Sequence, residues 1–238
     1  MRLNFYFRTS LLPKVRAVLR AVVRQPDLAM SAREFLRLWG PDRISTFVSI
    51  GANDGVTNDP LSDYIISCGW RGIMVEPHPA NFARLQANFA RAHGIILENV
   101  GISDKQGDLD FYHLRDVEPD EPDWYSQIAS FDKDTFHKNI SGIPELLDRV
   151  AVSPIEAITF DTLLTRHSMP AIDLLLIDAE GYDCRILSSI DLNRHKPGII
   201  IFEHEWLTTH DRKALLSQLR MARYGVITTD FDYVAIKR

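Results

Sequence analysis

Short apolar runs, several of them ending in an acid, alternate along this chain with segments of helical spacing. ISTFVSI (44–50), RGIMVE (71–76), GIILENV (94–100), IDLLLID (172–178) and GIIIFEHE (198–205) read as buried strands. Between them, residues 60–69 read as a helix closed by Gly69, and 79–92 carry Phe82, Leu85 and Phe89 at helical spacing. Residues 183–191 and 209–222 are also expected to be helical. Strands that are apolar on both faces must be covered on both faces, which predicts an α/β fold with a mostly parallel sheet between helix layers. DLDFYHL (108–114) is a further extended segment. Residues 225–229 and 232–237 read as a closing pair of strands, a hairpin around Asp230.

The chain has 238 residues, enough for one sizeable domain with a real core. A formal charge of −5 provides no global field that would draw in nucleic acid. Cys68 and Cys184 lie far apart and match no disulfide framework or zinc spacing, so a reducing, cytoplasmic setting is expected. No apolar run reaches the roughly 18–20 residues that span a bilayer. Residues 1–40 form a basic segment, with Arg2, Arg8, Lys14, Arg16, Arg20 and Arg24 preceding the first acid, Asp27. Leu11, Leu12, Val15, Val18, Leu19, Val22 and Val23 share one helical face opposite the basic residues. Such a helix suits peripheral contact with an anionic membrane, at its inner face, or simple packing on the domain with a solvated basic side. Residues 41–238 are expected to form the main domain. Within it, 115–150, rich in Pro, acids and aromatics, reads as an insertion of loops and short helices that shapes an acceptor pocket.

The sharpest motif is VSIGANDG (48–55), a glycine turn at the end of a buried strand. Gly51 and Gly55 let the backbone turn tightly, and ligands of open α/β sheets bind at the carboxyl ends of strands. Glu76 closes the next strand roughly 20 residues on, the spacing at which an acid accepts hydrogen bonds from ribose hydroxyls. Turn and acid together point to a nucleoside ligand. The dinucleotide fingerprint wants glycine where Asn53 stands, and Asp54 beside it would repel a pyrophosphate. A sulfonium donor with an amino-acid tail carries no phosphate, so S-adenosylmethionine is favoured over NAD.

With VSIGANDG, VEPHPANF (75–82), NVGISDKQGDLDF (99–111), ITFDTLL (158–164), LLLIDAEGYD (174–183) and GIIIFEHE in this order, the chain resembles the FkbM family of methyltransferases. The resemblance implies a class I methyltransferase fold, Rossmann-like, with seven strands and the last antiparallel. It also implies O-methylation of a hydroxyl on a sugar, glycan or related natural product. Carried over by position, Gly51, Asn53 and Gly55 look like the donor loop, Glu76 like the ribose acid, and Ser103 and Asp104 like the adenine side. Ser49 stands where many relatives have an acid, which shifts the contact to the donor's amino end toward Asp54. Asp183 stands where many have Glu.

Methyl transfer to an alcohol gains from positioning and from a general base. Asp178 and Glu180, in IDAEG, end one strand; Glu203, His204 and Glu205 end another. Asp178, Glu180 and His204 are the catalytic candidates, and Glu203 is a candidate for orienting an acceptor hydroxyl. Each has a plain alternative: Asp178 as a cap, Glu180 in an ion pair, His204 as a packed histidine. Trp124 and Tyr125, with Phe131, either stack on a sugar face or pack the insertion, and His137 and Lys138 are further polar candidates. Asp161, Asp178, Glu180 and Glu203 carry hard oxygens of the kind a divalent ion takes, but nothing in the sequence makes them converge, and no metal site is assigned. Two other readings stay open, an NAD-dependent oxidoreductase and a non-catalytic nucleoside-binding protein.

Overall fold

A computed structural model describes residues 30–115, 117, 121–169 and 171–238. The basic amphipathic helix expected before residue 25 lies outside the described residues. The chain begins with α1 (Ala32–Trp39), opened by a capping box in which Ser31 and Glu34 each bond the other's backbone N–H and closed at Gly40. β1 (Thr46–Ile50), α2 (Ser62–Cys68), β2 (Arg71–Val75), α3 (Pro79–Asn88) and β3 (Ile95–Glu98) follow as expected from the apolar runs. The second half supplies β8 (Leu174–Ile177), α7 (Asp183–Ser189), β9 (Ile199–Glu203), α8 (Thr209–Met221), β10 (Tyr224–Thr228) and β11 (Asp232–Lys237).

The main sheet has seven strands in the order β10-β11-β9-β8-β1-β2-β3. β3, β2, β1, β8 and β9 run parallel, and β11 lies antiparallel to both β9 and β10. Alternate side chains feed two cores. Val48, Ile73, Leu175 and Ile200 point to one face, where α7 adds Ile186 and Leu187 and α8 adds Leu215 and Leu219. Phe47, Met74, Leu174 and Ile201 point to the other, where α1 adds Phe35 and Leu36, α2 Ile65 and α3 Leu85. Full burial of each such side chain contributes about 1.5–3 kcal/mol, which is why the strand runs are apolar throughout. The described part of the basic N-terminal segment is thus packed under the main sheet. Among the described residues no helix is long and apolar enough to cross a membrane.

The sequence reading did not foresee a second sheet. β4 (Gly101–Ile102), β7 (Val150–Ile158), β5 (Gly107–Leu114) and β6 (Ala129–Ser130) form four strands in the order β4-β7-β5-β6. β5 and β7 pair antiparallel from Gly107↔Ala157 to Leu114↔Val150. β7 escaped notice because its apolar residues are interrupted by Ser153, Pro154 and Glu156, and its pattern is largely half-exposed. The segment between β5 and β7 contains α4 (Lys133–Ile140) and α5 (Pro144–Leu147), with a small core of its own from Leu114, Ile128, Phe136, Ile140 and Leu146. One further helix, α6 (Phe160–Arg166), leads from β7 back to β8.

Candidate active site

β1 ends at Ile50 and the chain turns at Gly51, whose φ is +81°. A side chain there would overlap the carbonyl oxygen of Asp178, so only glycine lets the turn press against the end of β8. The N–H groups of Gly51 and Ala52 donate to the carbonyl of Val75 at 2.9 and 3.0 Å, which fastens the turn to the end of β2. The next residue is Glu76, only 5% exposed. Its Oε2 accepts from the backbone N–H of Asn53 and its Oε1 from that of His78, both at 2.8 Å. The turn after the first strand and the acid after the second are therefore bonded to each other. Each carboxylate oxygen retains a lone pair for a ligand hydroxyl. Burial raises the Glu76 carboxyl to about 7 despite those two bonds and the nearby Arg84.

Gly51, Asn53, Glu76, Asp178 and Glu180 line one cleft, of about 860 Å³ with its open mouth included. Val75, Ile102, Phe111 and Phe131 give it an apolar wall. The space within it open to the centre of a water-sized sphere is about 100 Å³. A second, wider and more open cavity, of about 1080 Å³ with its open mouth included, adjoins the cleft and shares Asn58, Pro60, Leu176 and Asp178 with it.

Acids dominate the boundary between the two. Asp178 follows β8, and its N–H donates to the carbonyl of Ile50 at 2.9 Å. Its carboxylate is open to the cavities but ringed by protein; among the described residues it has no hydrogen-bond or ion-pair partner. Burial raises its pKa, helped by the charge of Asp232. Glu180 is raised by burial and then by Asp178, Asp183 and Glu205. Asp183 is 1% exposed at the start of α7 and accepts from the N–H groups of Ala179 at 3.2 Å and Glu203 at 3.4 Å. Burial and the Asp178 charge bring it to about 7. Glu203, the end of β9, is pushed to about 9 by burial and the same neighbours. Several of these groups hold protons near neutral pH and can donate as well as accept. Three residues lining the cleft, Asn53, Asn58 and Glu180, have φ of 49°, 60° and 48°. Left-handed backbone at non-glycine residues costs of order 1–3 kcal/mol and persists where surrounding structure enforces it.

Other sequence candidates lie elsewhere. Asp54 points into its own turn, accepting from Val56 N–H (2.9 Å), Thr57 N–H (2.8 Å) and Thr57 Oγ1 (2.7 Å). Burial raises its pKa, but those bonds outweigh it and the group sits below its ordinary value. The expected contact of Asp54 with a donor tail is therefore corrected, and so is its repulsion of a pyrophosphate. Gly55 is packed toward Leu85 and Phe89 of the core rather than toward the cleft. Ser103 is fully buried, bonded to Asp104 and to the Tyr182 hydroxyl at 3.1 Å. It sits beyond Phe131, whose ring packs on Tyr182 at 5.6 Å, so neither Ser103 nor Asp104 lines the cleft. Trp124 and Tyr125 pack edge to face at 4.5 Å, and Tyr125 lines a separate cavity with Arg84 and His113. The His204 ring contacts the Thr229 carbonyl at 3.3 Å and packs on Tyr233, outside both cavities. His137 packs on Phe136, and Lys138 lies over the Trp206 ring. Asp161, on α6, pairs with Arg194 and His195 of the turn after α7. Among the described residues no group of three or more His, Cys, Asp and Glu is arranged to hold a metal ion.

Sequence reasoning missed Asp59, which is 6% exposed, lines the cleft, accepts from Leu61 and Ser62 N–H at 2.6 and 2.7 Å, and is raised by burial to about 7. The available signal was Asp before Pro60, a turn initiator following the glycine loop. Asn81 and Phe111 of the cleft carried no signal, because helix and strand positions reveal a facing only once the fold is closed.

The family model for the methyltransferase FkbM domain matches residues 49–227. The chain belongs to the FkbM methyltransferase family. One solved structure agrees on the fold, and a second shows a weaker likeness. An FkbM methyltransferase from Methylobacillus flagellatus KT shares 14% identity and a TM-score of 0.51, over 93% of this chain and 59% of that one. An O-methyltransferase from Bacillus cereus in complex with SAH shares 13% identity over 97% and 93% of the two chains, with a TM-score of 0.43. This chain thus spans 59% of the length of the Methylobacillus protein. No curated protein matches it. The domain is a class I, S-adenosylmethionine-dependent methyltransferase domain. Its cleft fits that cofactor chemically. Glu76 has lone pairs for ribose hydroxyls, the Oδ1 of Asn53 is buried without a partner among the described residues, and the acids beyond suit an ammonium.

Proposed function

We propose that this FkbM-family protein transfers a methyl group from S-adenosylmethionine to a hydroxyl oxygen of a sugar, glycan or related natural product. One observation carries the reading: Glu76 and the Gly51 turn, bonded together, open onto the same cleft as Asp178. When bound, S-adenosylmethionine supplies an electrophilic methyl carbon on its sulfonium. Asp178 is the group placed to take the acceptor's hydroxyl proton, because it borders both cavities and its raised pKa brings its basicity toward neutral pH. Glu180 and Glu203 keep protons to higher pH and are suited to hold acceptor oxygens by donation. Gly51 and Glu76 fix the donor side, and the apolar wall excludes water from it.

The turning-away of Asp54 removes one argument against a dinucleotide, but the acids lining the cleft supply another. A pyrophosphate laid beside Asp59, Asp178 and Glu180 finds no Lys or Arg among the described residues lining the cleft to neutralise it, and any of these acids that ionises adds repulsion. Thermal melting of the purified protein decides the matter. S-adenosylhomocysteine is expected to raise Tm and NADH to leave it unchanged; the reverse pattern sinks the proposal. Mass spectrometry of glycans incubated with S-adenosylmethionine and the protein then reads the gained methyl group.

A further inference from the structure

Where β2 passes into α3 lies the separate cavity that Tyr125 borders, of about 730 Å³ with its open mouth included. It adjoins the donor cleft and shares Asn81 and Ala129 with it. The donor cleft and the wider cavity both carry acids, Asp59, Asp178 and Glu180 in the first and Asp178, Glu203 and Asp232 in the second. Among the described residues no Asp or Glu lines this one, whereas Arg84, Arg115, His78 and His113 do. In a chain of formal charge −5 that is a local reversal of sign.

The short segment after Glu76 builds the basic wall. His78 is the N-cap of α3, and Pro79 opens the helix. No side chain caps this end and its first turn holds no acid, so the first N–H groups, which have no acceptor within a helix, lack a side-chain acceptor too. Ala80 and Asn81 of that turn line the cavity, and Arg84, one turn beyond Ala80, joins them on the same face. Arg84 is exposed. Its guanidinium donates to the neutral Oδ1 of Asn81 at 2.6 Å, and among the described residues it pairs with no carboxylate. Arg115 donates to the Asp148 carbonyl at 2.9 Å. The two histidines meet, the His78 Nε2 lying 3.3 Å from the His113 Nδ1. That Nδ1 also faces the Leu114 carbonyl at 3.2 Å, and a carbonyl can only accept, so the proton is assigned to the His113 Nδ1 and the His78 Nε2 accepts. Burial, with the neighbouring His113 and Arg84, lowers the His78 pKa to about 4, so near neutral pH its ring carries one proton, on Nδ1. That N–H is buried and without a partner among the described residues. A buried donor left without an acceptor is destabilising.

We propose that this cavity is an anion site, which binds a phosphate group, free or as the monoester of a small molecule, through the Arg84 guanidinium, the first turn of α3 and the His78–His113 pair. All three supply N–H donors, and a guanidinium fork and a helix N-terminus both match phosphate well. A carboxylate brings two oxygens to these three sets of donors, whereas a phosphate brings more. Tyr125 and Ile128 border the cavity as well and offer apolar area to the carbon part of an ester. The chain itself links the site to the donor cleft, because the backbone N–H of His78 donates to Glu76 at 2.8 Å. The anion site is nevertheless distinct from the acid-lined cavities, and it stands whether or not the methyl-transfer reading does.

The test uses the full chain without S-adenosylhomocysteine, at neutral pH and constant ionic strength. Calorimetry titrates in inorganic phosphate, phenyl phosphate and, as a carboxylate, acetate. At least one of the two phosphates is expected to bind with a Kd below roughly 10 mM, and acetate about tenfold more weakly. Tighter binding of phenyl phosphate marks an esterified ligand, and equal or tighter binding of inorganic phosphate marks a free anion; either result upholds the site. NMR of the histidine rings gives the location without any substitution, since the His78 and His113 resonances should move as the phosphate binds. Arg84→Gln should weaken binding about tenfold. Lys213→Gln, which removes an exposed cation on α8, should leave it unchanged. The proposal is overturned if neither phosphate binds, if acetate binds as well as they do, if the two histidine resonances stay where they are, or if Arg84→Gln loses no more than Lys213→Gln.

Discussion

The two sides of the active cleft treat buried carboxyl groups in opposite ways. On the β1–β2 side a single acid, Glu76, is held by two backbone N–H groups at 2.8 Å and stands apart from the other carboxyls. On the β8–β9–β11 side Asp178, Glu180, Asp183, Glu203 and Asp232 crowd together, and among the described residues none of the five has a cationic ion-pair partner. Backbone donors stabilise a charge in place, so the first side is ready for a ligand that donates hydrogen bonds. Burial raises the carboxyls on both sides, Glu76 to about 7 among them, but on the second side the charges of neighbouring carboxyls add to it, and that is where protons are to be moved. Binding and chemistry are separated by which kind of group surrounds the acid.

The largest expected effect separates the sides most sharply. Asp178→Asn should lower kcat by about 10²- to 10⁴-fold, the usual worth of a general base, while S-adenosylhomocysteine binds as before. Undiminished turnover would move the base elsewhere. Glu76→Gln should do the converse. It exchanges an acceptor of two backbone donors for a group with one acceptor oxygen, so donor affinity is expected to fall about 100-fold, from roughly 3 kcal/mol of lost charge-assisted bonding. Calorimetry reads it, and an unchanged affinity would mean the cleft does not grip a ribose.

A pH effect of intermediate size tests the crowded side alone. The Glu203 carboxyl has an ordinary value of 4.5 and is raised by burial to about 9. A raised folded-state pKa gives stability that is fully present below 4.5 and is lost as pH climbs through about 9. Glu203→Gln cannot ionise, so its Tm should gain on the wild type steadily from pH 5 to pH 9. A difference that stays flat across that range would show that Glu203 titrates as if in water. The smallest effect is expected at Asp54. Its carboxylate only closes a turn, so Asp54→Ala should cost about 1 kcal/mol of stability and leave donor affinity within twofold. A large loss of affinity would restore Asp54 to the donor site.

Much of the main sheet was readable because its signals are local. Apolar runs such as LLLI require burial on both faces wherever they occur, and Gly51 must turn whatever its neighbours are. Glu76 was legible for the same reason, being an acid fixed at a strand end and so at the sheet's carboxyl edge. The facing of Asp54 and Gly55 was not legible, since two residues of a turn differ in direction by backbone angles that spacing does not encode. Ser103 and Asp104 lie in the matched motif, yet they are not among the residues lining the cleft, and Ser103 bonds Tyr182, whose ring packs at a tilt on Phe131 of the cleft wall. The second sheet was hidden because β7 is half-exposed and broken by Pro154, so its apolar content sets no period.

By itself, then, the sequence determined the order of the main sheet's strands and of most helices between them, the family, and which strand ends carry acids, because periodicity and turn chemistry act between near neighbours in the chain. Only the tertiary structure decided that Glu203 faces Asp232, that Asp59 is buried beside the cleft, and that Asp178 stands between two cavities. Those facts depend on strand register and on which side chains the closed fold deprives of water, and neither exists until distant segments have packed.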